Sequence, residues 1–172
     1  IGNKAYICCG FGIVVLDLIK LEISDTYIIG DNGSYLKIND LTLYNDKLYA
    51  ATSKGIYYAD YDNKNLVDFS QWTHDTTLIH SELNYSEIET FNNQLIANYS
   101  RNEYNTDTLF VFDGNKWDYH DFESFSIKRE IRAYEDRLAI TANYSIIVLG
   151  INNNIIQSYS NDIEPFDCIY VK

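Results

Sequence analysis

One short pattern recurs four times along this chain, and it limits what the chain can fold into more than any other feature. The pattern is an apolar run, a small turn and a second apolar run. The copies are residues 4–9 with 12–17, 47–52 with 55–60, 94–99 with 109–113, and 137–142 with 146–150. They start at 4, 47, 94 and 137, so the steps are 43, 47 and 43 residues. A period of about 40 to 50 residues assembled from short strand-like runs marks propeller blades. The expected fold class is therefore all-β, a β-propeller with four blade repeats of about 43–47 residues.

Each full unit holds four strand-like runs. In the second unit these are residues 39–44, 47–52, 56–58 and 69–77, with Asn45-Asp46 as a tight hairpin and a polar loop over 60–65. Asn and Asp suit such turns because they tolerate positive φ. Asn92-Asn93 and Glu135-Asp136 sit at the same place in the next units, each followed by Gln94-Leu95 or Arg137-Leu138, as Asn45-Asp46 is by Lys47-Leu48. Gly12 and Gly55 share one slot before a third strand, and Trp72 and Trp117, 45 residues apart, are expected to open fourth strands. Val, Ile, Tyr, Thr and Phe dominate the apolar runs at a spacing that excludes helices. Ala50, Ala51, Ala97, Ala139 and Ala142 all fall in second strands, where a tapering blade needs small side chains.

The whole of 1–172 is expected to be propeller. Its blade repeats are approximately 4–38, 39–83, 84–127 and 128–165, with 166–172 the first strand of a further or closing blade. The chain is expected to begin at a second strand and end at a first, as an open arc of a larger propeller would. The interval 100–108 is longer than its counterpart at 53–55 and is expected to protrude as a loop able to carry binding.

Composition narrows the function classes. The formal net charge of −12 argues against a basic nucleic-acid groove and against docking on anionic lipid. No apolar run approaches the length of a transmembrane helix. Sixteen tyrosines suit half-buried β surfaces and recognition faces. Cys8 and Cys9 are adjacent on a strand, so they point to opposite faces and occupy the slots of Ala51 and Thr52. They are expected to be free thiols.

Catalytic chemistry is not visible. The three histidines, His74, His80 and His120, have no metal-ligand spacing. Asp60-Tyr61-Asp62-Asn63 lacks the Gly and Glu of a calcium loop, and Asp31-Asn32-Gly33-Ser34 reads as a turn. Gly10-Phe11-Gly12 is a hairpin rather than a phosphate loop. The glycosylation-type triplets at Asn32, Asn84, Asn98 and Asn143 read as by-products of an Asn- and Ser-rich chain. The expectation is no enzyme, no catalytic, cofactor or metal residues, and no cofactor.

The stretch 9–17, followed by Asp25-Thr26-Tyr27-Ile28-Ile29-Gly30, Asn32-Gly33-Ser34 and Asn39-Asp40-Leu41-Thr42, and continuing through 48–52, Gly55-Ile56-Tyr57 and Asn65-Leu66, resembles a known family. This is the β-propeller region of the PorZ family, from the type IX secretion system of Bacteroidetes. More loosely, it is similar to the two-component-regulator propeller repeats of periplasmic sensors. The close part covers about residues 4–75. The resemblance implies an exported protein at the periplasm, outer membrane or cell surface. It implies a non-enzymatic interaction scaffold whose partners are other secretion-system or envelope proteins, in a system that processes cargo and attaches it to lipopolysaccharide. Glycan or lipopolysaccharide recognition is associated in that family with a domain outside this chain. Two other readings stay open: a ligand-sensing propeller of a hybrid two-component regulator, and a propeller glycosidase or lyase.

Overall fold

The computed structural model describes residues 1–101, 107–120, 128–152 and 154–160. The chain divides into two compact units, residues 1–86 and 87–172. Among the described residues there are fifteen strands in four antiparallel sheets, and the only helical turns are two short 3-10 segments. The chain is a β-propeller array, as the repeat implies.

The first sheet has the order β1 (Lys4–Cys9), β2 (Gly12–Asp17), β3 (Glu22–Tyr27). The second runs β4 (Ile38–Tyr44), β5 (Lys47–Thr52), β6 (Gly55–Asp60), β7 (Thr73–His74). The third comprises β8 (Tyr85–Phe91), β9 (Gln94–Tyr99), β10 (Thr108–Phe112) and β11 (Trp117–His120). The fourth comprises β12 (Lys128–Tyr134), β13 (Arg137–Ala142), β14 (Ser145–Gly150) and β15 (Ile155–Ser160).

The turns form for the reason read from sequence. Asn45 and Asp46 have φ of 46° and 59°, Asn92 and Asn93 of 48° and 58°, and Glu135 of 51°. The left-handed pairs Asn45-Asp46 and Asn92-Asn93 match the twist of the flanking strands. The second strands β5, β9 and β13 are buried from their second residue onward because each is hydrogen-bonded on both sides. Cys8 and Cys9 take the ladder positions of Ala51 and Thr52, pairing with Ile13 and Gly12 as those pair with Ile56 and Gly55.

Irregularities repeat as well. β4 and β12 are bulged at equivalent places, between Ile38 and Asp40 and between Lys128 and Glu130. The ladders β2–β3 and β14–β15 shift at Val15/Leu16 and Val148/Leu149, again equivalent. A bulge breaks the in-out alternation of a strand. That is why β4 and β12 are longer than the runs 39–44 and 131–134 suggest.

One expected strand is corrected. Residues 69–77 do not form a continuous fourth strand. Phe69–Gln71 is a 3-10 turn, and only Thr73–His74 pairs with β6. Local side-chain bonds outcompete the ladder. The Asp68 carboxylate accepts the Ser70 N–H at 2.9 Å, and Asp75 accepts from the Thr77 N–H and hydroxyl at 3.0 and 2.6 Å. Trp72 therefore lies one residue before β7, whereas Trp117 opens β11. Their ladder places still correspond, beside Ala59 and Phe112, which pair with Leu48 and Leu95.

In the first unit the two sheets meet through Ile13, Val15 and Tyr27 on one side and Leu48, Ala50, Tyr57, Ala59 and Trp72 on the other. In the second, Phe91, Ile96, Leu109 and Val111 pack with Ile131, Leu138, Ile140, Ile147 and Leu149. Each large buried side chain contributes about 1.5–3 kcal/mol of apolar transfer. The loop expected over 100–108 and the strand expected at 166–172 lie largely or wholly outside the described residues.

Candidate functional site

Of the three histidines, His74 is built into the second sheet. The His74 ring stacks on Tyr57, with centroids 4.6 Å apart and planes 7° from parallel. Its Nε2 lies 2.8 Å from the Ser81 carbonyl oxygen, and its Nδ1 is 3.6 Å from Glu82. The Tyr57 hydroxyl donates to Asp31 at 3.2 Å. Burial, then the Asp31 carboxylate, pushes this phenol up to about 12. His80 lies exposed in the following loop with φ 63°, and His120 ends β11. Among the described residues, no group of three or more His, Cys, Asp or Glu side chains is placed to hold a metal ion. Asn98 is fully buried and donates to the Asp107 carboxylate at 2.9 Å, so its glycosylation triplet is closed to a transferase in the folded chain.

The structure instead brings together a group that sequence reading missed. It lies between the first sheet and the connection from β6 to β7. In the other three sheets the matching connection has four residues: 18–21 between β2 and β3, 113–116 between β10 and β11, and 151–154 between β14 and β15. In the second sheet the connection is residues 61–72, twelve in all. The extra length forms one wall of an open cleft of about 310 Å³. The signal was available in the columns already aligned, because Asp60 and Trp72 stand much further apart than Phe112 and Trp117.

The other wall is one face of the first sheet. Ladder partners share a face, so Tyr6, Val15 and Asp25 form a row, with Lys4 and Tyr27 two residues along their strands. Lys4, Tyr6, Asp25 and Tyr27 line the cleft. The β2–β3 bulge decides this arrangement. Val15 faces Asp25 but Leu16 faces Ile23, so Ser24 is the extra residue, and Ile23 points away from the face that carries Asp25.

The inserted wall is held by its own bonds. The Tyr61 N–H donates to the Asp46 carbonyl at 2.8 Å, and the Asn63 amide donates to Gln71 at 2.7 Å. The Asn65 N–H donates to the Asn63 side chain at 2.9 Å. The Trp72 indole N–H donates to the Leu66 carbonyl at 3.0 Å, tying the wall to the core. Trp72 in turn packs on Tyr27 at 6.2 Å between centroids. Lys4 and Asp25 approach to 3.8 Å. Burial, followed by a hydrogen bond that the Tyr6 hydroxyl donates to Tyr61, pushes the Tyr6 phenol well above its ordinary range. Burial, then Asp25, raises Tyr27.

Residues 1–73 match the family model described as TSS9, PorZ, N-terminal beta-propeller domain. That segment contains the first sheet and both walls of the cleft. The chain thus resembles the propeller region of PorZ, as its sequence pattern indicated. No curated protein matches the sequence. Among solved structures, PorZ of Porphyromonas gingivalis, a bacterial surface component of the type IX secretion system, superposes with a TM-score of 0.70 at 19% identity. The match covers 94% of this chain and 20% of that one, so this chain spans a fifth of that protein's length. The extracellular domain of a hybrid two-component system from B. thetaiotaomicron gives 0.63 at 17% identity, covering 97% and 21%. BamB from Moraxella catarrhalis gives 0.62 at 13% identity, covering 99% and 51%. At such identities these likenesses establish the propeller fold alone.

Proposed function

We propose that this chain is a non-enzymatic interaction scaffold, part of an exported envelope protein that acts as PorZ does in type IX secretion. The observation that carries the reading is the match of residues 1–73 to the PorZ N-terminal propeller, which includes both walls of the cleft. The described side chains fit it: His74 and the buried Asp75, Asn98 and Asp107 are engaged in holding loops and sheets. On this reading the partners are other secretion-system or envelope proteins, and the location is the periplasm or the outer surface. The full-length protein contributes to cargo processing and attachment.

The test is genetic and biochemical. The producing bacterium is deleted for the full-length gene, and its secreted cargo is followed by immunoblot in the culture medium and the cell envelope. The expected result is cargo retained with its sorting signal uncleaved, and normal export on complementation. Normal cargo maturation in the deletion strain refutes the reading. The likeness to a two-component extracellular domain favours one alternative, ligand sensing. That alternative predicts normal cargo and a changed transcriptional response instead.

A further inference from the structure

We propose that the cleft between the first sheet and the 61–72 connection is a binding site for a neutral saccharide of one or two rings. Its size sits at the lower end of ligand pockets, which run from about 300 to 1,000 Å³. That suits a mono- or disaccharide better than an extended polymer.

The lining selects by elimination. Leu66 and Val67 are its only aliphatic side chains, so the cleft is no lipid pocket. Its charges are Lys4, Lys64, Asp25 and Asp62, two of each sign, and Lys4 already lies 3.8 Å from Asp25. With Lys4 and Asp25 paired, an anion or a cation entering here gains one opposite charge and meets one like charge, so neither sign is favoured. A ligand that carries no charge but many hydroxyls meets no such conflict.

The tyrosines complete the fit. Tyr6 and Tyr61, both partly exposed, offer rings against which the apolar C–H face of a pyranose can lie, while Tyr27 lines the cleft from the core. Their hydroxyls both donate and accept, as sugar hydroxyls do. Phenols are un-ionised at neutral pH in any case, so these hydroxyls remain donors there. The carboxylates of Asp25 and Asp62 supply further hydrogen-bond acceptors. The wall is also set before any ligand arrives. The bonds from Tyr61 to Asp46, from Asn63 to Gln71 and from Trp72 to Leu66 fix it, which lowers the ordering cost of binding.

The proposal concerns a small ligand and stands whether or not the scaffold reading holds. Its test is saturation-transfer NMR and calorimetry on the whole 172-residue chain. The probes are glucose, galactose, mannose, N-acetylglucosamine and their common disaccharides. Glucuronic acid, glucose 6-phosphate and a short neutral peptide serve as comparators. Saturable binding of at least one neutral sugar is expected, with its charged counterpart about tenfold weaker. Tyr6→Phe and Asp25→Asn should each weaken the sugar by about tenfold, since each removes a buried or charge-assisted hydrogen bond. Tyr159→Phe, on exposed β15, should leave affinity unchanged. Thermal melts confirm that the variants fold. If Asp25→Asn does not fold, the milder Tyr6→Phe decides. Three results overturn the proposal: no saturable binding of any neutral sugar up to about 10 mM, tighter binding of the anionic sugars or the peptide, or full affinity in folded Tyr6→Phe.

Discussion

Replacing Gly55 by alanine tests how the second sheet is closed at its end. Gly55 opens β6 with φ 91°, where an L side chain is strained by about 1–2 kcal/mol. Its N–H donates to the Leu83 carbonyl at 2.7 Å. An added Cβ would collide with the Ser81 carbonyl oxygen and the His74 imidazole nitrogen. Relief requires the 81–83 segment to move, which breaks the His74–Ser81 contact and lengthens the Gly55–Leu83 bond. Two such bonds contribute about 0.5–1.5 kcal/mol each. The expected loss is thus about 2–5 kcal/mol, or a fall in Tm of about 4–20 °C for a chain of this size. Gly10→Ala is the matched control. Nothing lies within 4 Å of a Cβ there and its φ is not positive, so its change should stay within about 0.5 kcal/mol. Circular dichroism melts and urea midpoints of both variants are the assay. A Gly55→Ala protein that melts within about 2 °C of the parent refutes the account, because it shows that the 81–83 segment does not press on this glycine.

Further outcomes follow from the same geometry. Trp72→Phe removes the indole bond to Leu66 and leaves a void in the first core; it should cost about 1–3 kcal/mol in urea unfolding, more than Trp117→Phe, whose ring is only half-buried against Phe112. Burial raises Tyr49 and Tyr57 to about 12, above the unfolded value of 10.0. Their neutral forms favour the native state, so this contribution is complete below pH 10 and is lost as pH rises from about 10 to about 12. Absorbance at the phenolate band should show a late-titrating fraction that ionises with unfolding, whereas a single titration of all tyrosines near pH 10 with intact circular dichroism would contradict it. Asp17, Asp68 and Asp113 are held below 3.8, chiefly by backbone N–H groups of Lys20, Ser70 and Lys116. Depressed carboxylates stabilise above the unfolded value and lose that effect as pH falls through the folded one, so Asn at all three positions should flatten the change in urea midpoint between about pH 5 and pH 3.

The repeat was legible because it rests on short-range chemistry. Asn45-Asp46 and Asn92-Asn93 announce left-handed turns by residue type, and the period-two runs after them announce strands. Gly12 and Gly55 shared a column, and both prove to have a carbonyl oxygen, of Tyr27 and Ser81, where a Cβ would stand. The fourth strand of the second unit was not legible from its apolar content. Phe69 and Trp72 suggest a strand, but Asp68 and Asp75 bind nearby backbone N–H groups and limit pairing to Thr73–His74. The bulges at Asn39 and Ser24 were hidden for a related reason. An inserted residue reverses the faces beyond it, and an alternation count reads that as the end of a strand.

The cleft owes its existence to a departure from the repeat, and this bears on where function sits. A residue common to all four copies must satisfy turn geometry, ladder pairing or sheet packing, and those demands leave it little freedom to recognise anything. The 61–72 connection is released from them. It has grown by eight residues over its three counterparts without disturbing the register of β5 with β6, since Leu48 still pairs with Ala59 as Leu95 does with Phe112. The side chain that anchors it, Trp72, holds the place of Trp117 in its own sheet. With Ala59 rather than Phe112 opposite, the indole sinks into the core, where its N–H reaches Leu66. A small residue in one strand thus makes room for the ring that fixes the inserted wall. Ala59→Phe should therefore expel Trp72 and loosen residues 61–67, while β5 and β6 stay paired. Hydrogen exchange would show this as lost protection at Tyr61 and Trp72 with protection retained at Leu48 and Ala50. Equal loss in both places would mean that the wall and the sheet are one cooperative unit, and that the cleft is not an addition to the blade but part of what holds it together.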